Sequence, residues 1–155
     1  MDLSDRNALV TGVSRRIGIG HAIVRRLQEA GASVFIQGWA AHDAGQPSGA
    51  EPGGTELVAR ELGVPFAEMD FSEPDAPRRL VAAAADALGA LDILVVNHAR
   101  SGVGRLADLT AAEIDAFLHE NVRASLLLVR EFAAQHDDAR WVTGQTIDSE
   151  GGFRR

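Results

Sequence analysis

The segment Ala8 to Ile23, ALVTGVSRRIGIGHAI, places Gly12, Gly18 and Gly20 around a polar turn carrying Ser14, Arg15 and Arg16. An apolar run leads into the turn, and Gly18-Ile19-Gly20 opens a helix-like pattern. Small residues there let backbone approach a phosphate closely. A helix start adds free N–H groups and the positive end of a dipole. This is chemistry suited to a dinucleotide pyrophosphate, although a plain strand-to-helix turn would also use glycine. Arg15 and Arg16 have the guanidinium geometry to pair with a further phosphate; the alternative is a solvated loop.

Other chemistry is restricted by composition. The chain has no cysteine and no tyrosine, and all 15 of its basic residues are arginine, so it also lacks lysine. A thiolate, phenol or amine mechanism has no residue to carry it. The five histidines, His21, His42, His98, His119 and His136, show no metal-ligand spacing. His98 could act as a general base or be a tolerated replacement beside a ligand. The acids of DLTAAEIDAF sit at a helix start, where they suit the dipole.

The elements that must position these groups follow from periodicity. Asn7 to Thr11 reads as a buried strand. Ile19 to Ala30 reads as a helix, with Ile19, Ala22, Ile23 and Leu27 at helical spacing and Gly31 as its stop. Ser33 to Gln37 is a second strand. Gly38 to Gly54, rich in Gly, Pro and Ala, reads as a long mobile or functional loop. TELVARELG is a short helix ending at Gly63, and VPFAEMD an edge strand because of Pro65. Ser72 is expected to cap a helix whose second residue is Pro74 and which ends at Gly89. Leu91 to Asn97 reads as a central strand.

Thr110 and Glu113 then form a capping box. They open one long helix with Ile114, Phe117, Leu118, Val122, Leu126, Val129 and Phe132 on one side. The run Leu126 to Leu128 suits packing or a subunit contact. Trp141 to Ile147 reads as a last strand. Strands alternating with helices predict a Rossmann-type, doubly wound α/β fold: a parallel sheet, here truncated, with helices on both faces and ligands beyond the strands' carboxyl ends.

At 155 residues, 46% apolar and 24% charged, the sequence predicts one globular domain, 1–155. A net charge of −7 argues against nucleic acid as the partner. No run of about 18 apolar residues is present, and MDLSDRNALV lacks the features of a signal peptide. The expectation is a cytoplasmic protein without membrane contact.

Five ordered segments, ALVTG…GIGHAI, MDFSEPD, LDILVVNHA, ENVRAS and WVTGQTIDSEGGF, resemble the short-chain dehydrogenase/reductase family, in particular its 3-oxoacyl-carrier-protein-reductase-like members. The resemblance covers nearly the whole chain. It implies a Rossmann fold and NAD(P)-dependent oxidoreduction of a small ketone, alcohol or 3-oxoacyl substrate. Thr11 and Gly12 match the start of the family's T-G-x-x-x-G-x-G turn. Gly18, Ile19 and Gly20 match its end, with two residues inserted; a gap-free alignment would instead put Arg16 at the middle glycine. Asp70, followed by Phe71, matches the acid that contacts adenine. Asn97 and Ala99 match the ends of the N-N-A segment, with His98 replacing the second asparagine and Arg100 standing where glycine is common. Asn121 matches the helix asparagine that supports the proton relay. The second strand ends IQGW without the acid that would hold the ribose hydroxyls of NAD, so NADP(H) is expected over NAD(H).

The resemblance departs after the long helix. The family's serine strand and Tyr-x-x-x-Lys helix have no counterpart. Residues 1–138 match its N-terminal half, and 139–155 resemble its final strand and tail. An internal deletion and a longer enzyme of which this sequence lacks a segment both fit; an intact mass against 16.4 kDa separates them. The chain alone is expected to be inactive, and an alternative reading is a non-catalytic nucleotide-binding or oligomerisation module. A homo-oligomer paired through the long helix is expected.

Overall fold

A computed structural model describes residues 2–46, 49–102 and 105–135. Its centre is a four-stranded parallel sheet in the order β3-β2-β1-β4, formed by β1 (Asn7–Val10), β2 (Ser33–Gly38), β3 (Phe66–Glu68) and β4 (Ile93–Val95). The register sets Leu9 beside Phe35 and Leu94. Alternation along the strands assigns the two faces. Ala8, Val10, Val34 and Ile36 join Val24 of α1 (Ile19–Glu29) and Val58 of α3 (Gly54–Leu62) in one core. Leu9 and Phe35 point the other way, onto Leu80 and Ala84 of α4 (Ala76–Leu88) and onto Ala124 and Leu128 of α6 (Ala124–Ala133). Helices therefore cover both faces, as the strand–helix alternation predicts. No helix among the described residues is long and apolar enough to cross a membrane.

The chain winds outward from β1 to β2 and β3, then returns to place β4 on the other side of β1. The reversal lies between β1 and β4, and the crevice beyond their carboxyl ends is where such sheets bind ligands. The expected edge strand is β3, the outermost of the sheet. Among the described residues β4 pairs with β1 alone; the strand expected at Trp141 to Ile147 to cover its other side lies outside the described residues.

Three local expectations are corrected. The loop Gly38 to Gly54 contains a short helix, α2 (Ala40–Ala44), whose Ala40 N–H donates to the Glu68 carboxylate at 2.9 Å and whose His42 stacks on Trp39. Ser72 does not cap α4: its own N–H donates to Asp70 Oδ1 at 2.7 Å, and the chain turns further before Asp75 becomes the N-cap, with Pro77 in the first turn. The long helix is not continuous. After α5 (Ala111–Phe117), started by the expected Thr110–Glu113 capping box, residues Leu118–Arg123 form a wider π-helical turn before α6. Of the apolar residues on its expected side, Ile114, Leu118, Val122, Leu126 and Val129 are exposed, while Ala124 and Leu128 make the buried contact.

Candidate functional site: a cleft beyond the strand ends

Thr11 begins the site. Its side chain is buried at the end of β1, and its hydroxyl accepts the N–H groups of Asn97 (3.0 Å) and His98 (3.2 Å) while lying 2.8 Å from His98 Nδ1. Asn97 returns the contact: its Nδ2 donates to the carbonyls of Thr11 (3.1 Å) and Gly12 (3.0 Å). The two strand ends on either side of the switch point are thus laced together.

Glycine at two positions of the turn follows from this closeness. Gly12 has a φ of +71°, and a Cβ there would sit 2.8 Å from the His98 backbone. A Cβ on Gly20 would meet the Gly12 carbonyl at 2.6 Å and Asn97 Nδ2 at 2.8 Å. Gly18 differs: its backbone is extended at φ −169°, and the nearest atom to a Cβ is 3.7 Å away. Gly18 is the N-cap of α1. Among the described residues no side chain caps that helix, and no acid stands in its first turn. Its first N–H groups and positive dipole end are therefore open to an anion.

A cleft of about 710 Å³ opens over this turn. Of the sequence-derived residues, Gly12, Ser14, Arg15, Gly18, Ile19 and Gly20 line it from the β1–α1 side, and Phe71, Asn97 and Ala99 from the β3 and β4 side. Three do not. Arg16 turns outward, its guanidinium bound to Glu51 (Nη2 to Oε1 2.6 Å, Nε 2.9 Å) and 3.5 Å from Glu61. The Glu51 contacts raise the Arg16 pKa and lower that of Glu51. Asp70 spends a carboxylate oxygen on the Ser72 turn. Asn121 lies behind the wall: its Oδ1 accepts the Arg100 N–H at 2.7 Å and its Nδ2 donates to the Arg100 carbonyl at 2.9 Å.

Other residues of the wall emerge from the structure alone. Gln37 is buried, accepts the Gly12 N–H at 3.0 Å and donates to the Met69 carbonyl at 2.9 Å, so it joins the turn to β3. A polar residue closing the apolar run SVFIQ is the signal that could have singled it out. Trp39, His42, Asp43 and Gln46 build the wall from the β2–α2 side. Glu120 is buried and pairs with Arg100 Nη1 at 2.8 Å, and Arg100 lies 5.9 Å from the Phe117 ring centre.

His98 sits among these groups. Its Nε2 is 3.0 Å from the Glu120 carbonyl, which can only accept, so Nε2 carries a proton. Its Nδ1 then accepts from the Thr11 hydroxyl. Burial holds the imidazole pKa below its ordinary 6.5, an effect the Glu120 carbonyl only partly offsets. Both ring nitrogens are engaged within the protein, and this favours the replacement reading of His98 over the general-base one.

Residues 6–148 match the short chain dehydrogenase family. Dehydrogenase/reductase SDR family member 4 of Sus scrofa is 32% identical over 152 residues, covering 97% of this chain and 52% of its own. A short-chain dehydrogenase/reductase from Serratia marcescens BCRC 10948 superposes with a TM-score of 0.71 at 31% identity, covering 89% of this chain and 54% of that one. A short chain dehydrogenase from Burkholderia cenocepacia J2315, solved in complex with NADP, gives a TM-score of 0.69 at 34% identity, with 86% and 52% covered. The chain spans about half the length of the curated relatives it matches.

Proposed function

Since the chain belongs to the short chain dehydrogenase family of oxidoreductases, we propose that its cleft holds NADP(H) for the reduction of a carbonyl or oxidation of an alcohol, with the catalytic acid absent from this sequence. The observation that carries this reading is the uncapped start of α1 beside Gly12, Gly18 and Gly20, opening into a cleft of about 710 Å³. That cradle fits a pyrophosphate. Bound there, NADP(H) would supply or accept the hydride. The residues of the chain orient it: Gly12 and Gly20 let the backbone close in, Asn97 and Gln37 fix the turn, and Arg15 supplies charge at the cleft wall.

Preference for the 2′-phosphate rests on two features. Gly38 ends β2 with the Thr55 side chain of α3 packed against it, so a ribose-binding acid there would have to displace the side chains of Thr55 and Ser14. Arg15 lines the cleft, while Arg16 is committed to Glu51. The similar Burkholderia structure in complex with NADP supports the same choice. Asp43, on the α2 wall, is the acid that would favour NAD instead. Calorimetry is the test: NADPH should bind more tightly than NADH, and tighter NADH would remove the proposed role of Arg15.

Turnover should not follow binding. Carbonyl reduction needs an acid at the developing alkoxide, worth roughly 10²–10⁴-fold. The chain has neither tyrosine nor lysine, and Asn121, which cannot titrate, uses its amide to hold Arg100. Clear turnover of ketones or 3-oxoacyl thioesters by protein of verified mass would overturn the inactive reading.

The second reading, an oligomerisation module, is favoured by one observation. Leu118, Val122, Leu126 and Val129 leave 42–67% of their surface exposed along one side of the π-helical turn and α6. A contiguous apolar stripe of this kind suits a matching copy of itself across a two-fold axis. Light scattering should show a dimer or higher species, shifted toward monomer by Leu126→Glu. A monomer at high concentration would reject the pairing.

A further inference from the structure

His98 is held by two elements that meet at the cleft. At the end of β1 the Thr11 hydroxyl donates to Nδ1, and on the π-helical turn the Glu120 carbonyl accepts from Nε2–H. The Phe71 ring lies on it at a centroid distance of 4.2 Å. The hydroxyl of Thr11 has two lone pairs, and the N–H groups of Asn97 and His98 occupy both. The arrangement is satisfied in one protonation state only. A proton on Nδ1 would turn the hydroxyl's own proton to its second acceptor, the Val95 carbonyl at 3.4 Å, and would still present a third donor to an oxygen whose two lone pairs are taken. Thr11 would have to release Asn97 or the ring, and Asn97 is the residue that holds the carbonyls of Thr11 and Gly12.

We infer that His98 is a positioning residue that keeps the phosphate-binding turn closed only while its imidazole is neutral, making nucleotide binding weaken as pH falls. This rests on the NADP(H) reading of the cleft. Among the described residues the groups facing the ring are few. Thr11 directly follows β1, and Phe71 lies in the turn before α4. The Glu120 carbonyl comes from the π-helical turn, with its carboxylate paired to Arg100. Asp70, next to Phe71, directs a carboxylate oxygen to the Ser72 N–H. None of these groups offers a protonated Nδ1 a free acceptor within hydrogen-bond distance. Burial, which holds the ring neutral, acts in the same direction. The sign follows. The unfolded chain takes up a proton near 6.5 and the folded one only at lower pH, so the closed form loses stability as pH falls through that window.

The experiment compares the wild type with His98→Gln, whose amide can still donate to the Glu120 carbonyl, and with His98→Asn in case the longer side chain does not pack. NADP⁺ affinity is measured calorimetrically at pH 7.5 and pH 5.5, and the ring nitrogens of His98 are followed by NMR. The expected result is a neutral ring protonated on Nε2 at pH 7.5. Wild-type affinity should fall at least about tenfold further than that of a variant over the same interval; the variants also report any titration of the nucleotide's own phosphate. Parallel losses in wild type and variants, or a ring protonated on Nδ1 at pH 7.5, would overturn the inference. If no protein binds NADP⁺ at any pH, the cofactor reading fails. The latch is then judged by the Gly12 and Asn97 amide signals: movement with the His98 titration supports it, and indifference overturns it.

Discussion

Gly18→Asp should weaken nucleotide binding about 100-fold while leaving the fold intact. The position is the N-cap of α1, its backbone is extended, and a Cβ there meets nothing closer than 3.7 Å. Aspartate is a favoured N-cap residue, better than glycine by a few tenths of a kcal/mol, so thermal stability should hold or rise slightly. The same carboxylate would occupy the positive end of the helix that the phosphates need. The expected loss is about 100-fold in NADPH affinity, or about 2.8 kcal/mol at 1.4 kcal/mol per tenfold. Gly20→Ala provides the contrast. Its methyl group would press on the Gly12 carbonyl and on Asn97, so stability and binding should fall together. Calorimetry with a melting curve for each variant checks both. Unchanged binding in Gly18→Asp would remove the turn from the site.

Thr11→Val should cost about 2–3 kcal/mol of folding stability although the two side chains have nearly the same shape. The hydroxyl serves the N–H groups of Asn97 and His98 and the ring of His98. Valine leaves those two donors without a protein partner, and each buried unsatisfied group costs about 1–3 kcal/mol. Against a typical total of about 5–15 kcal/mol the loss is large. Urea unfolding measures it directly. A change below about 0.5 kcal/mol would mean that water takes over the role of the hydroxyl and that the two strand ends are not held by it.

Much of the frame was readable from the chain because it rests on local signals. Short continuous apolar runs mark β1 and β2, Gly31 and Gly63 stop α1 and α3, and Thr110 with Glu113 starts α5. The turn residues lie in the cleft because strand and helix fix them within a few residues of each other. What escaped depends on distant partners. The π-helical turn at Leu118–Arg123 carries a helical sequence, yet its contacts run to His98 and Arg100, about twenty positions away. Arg16 has the chemistry of a phosphate ligand, and only the approach of Glu51 decides that it turns outward. In α6 the large apolar residues would suggest a buried side, but it is the small Ala124 that lets the helix approach α4, with Leu128 following it inward. That leaves Leu126 and Val129 at the surface.

The central claim is that the crevice between the ends of β1 and β4 is a nicotinamide-nucleotide site in this chain. Backbone amide NMR during titration with NADPH tests it most directly. The predicted result is saturable shifts at Gly12, Gly18, Ile19, Gly20 and Ala99, larger than those produced by NADH, with Leu126 and Val129 unmoved. Saturable binding that shifts α6 and leaves the β1–α1 turn unchanged would contradict it, as would the absence of any shift at millimolar NADPH.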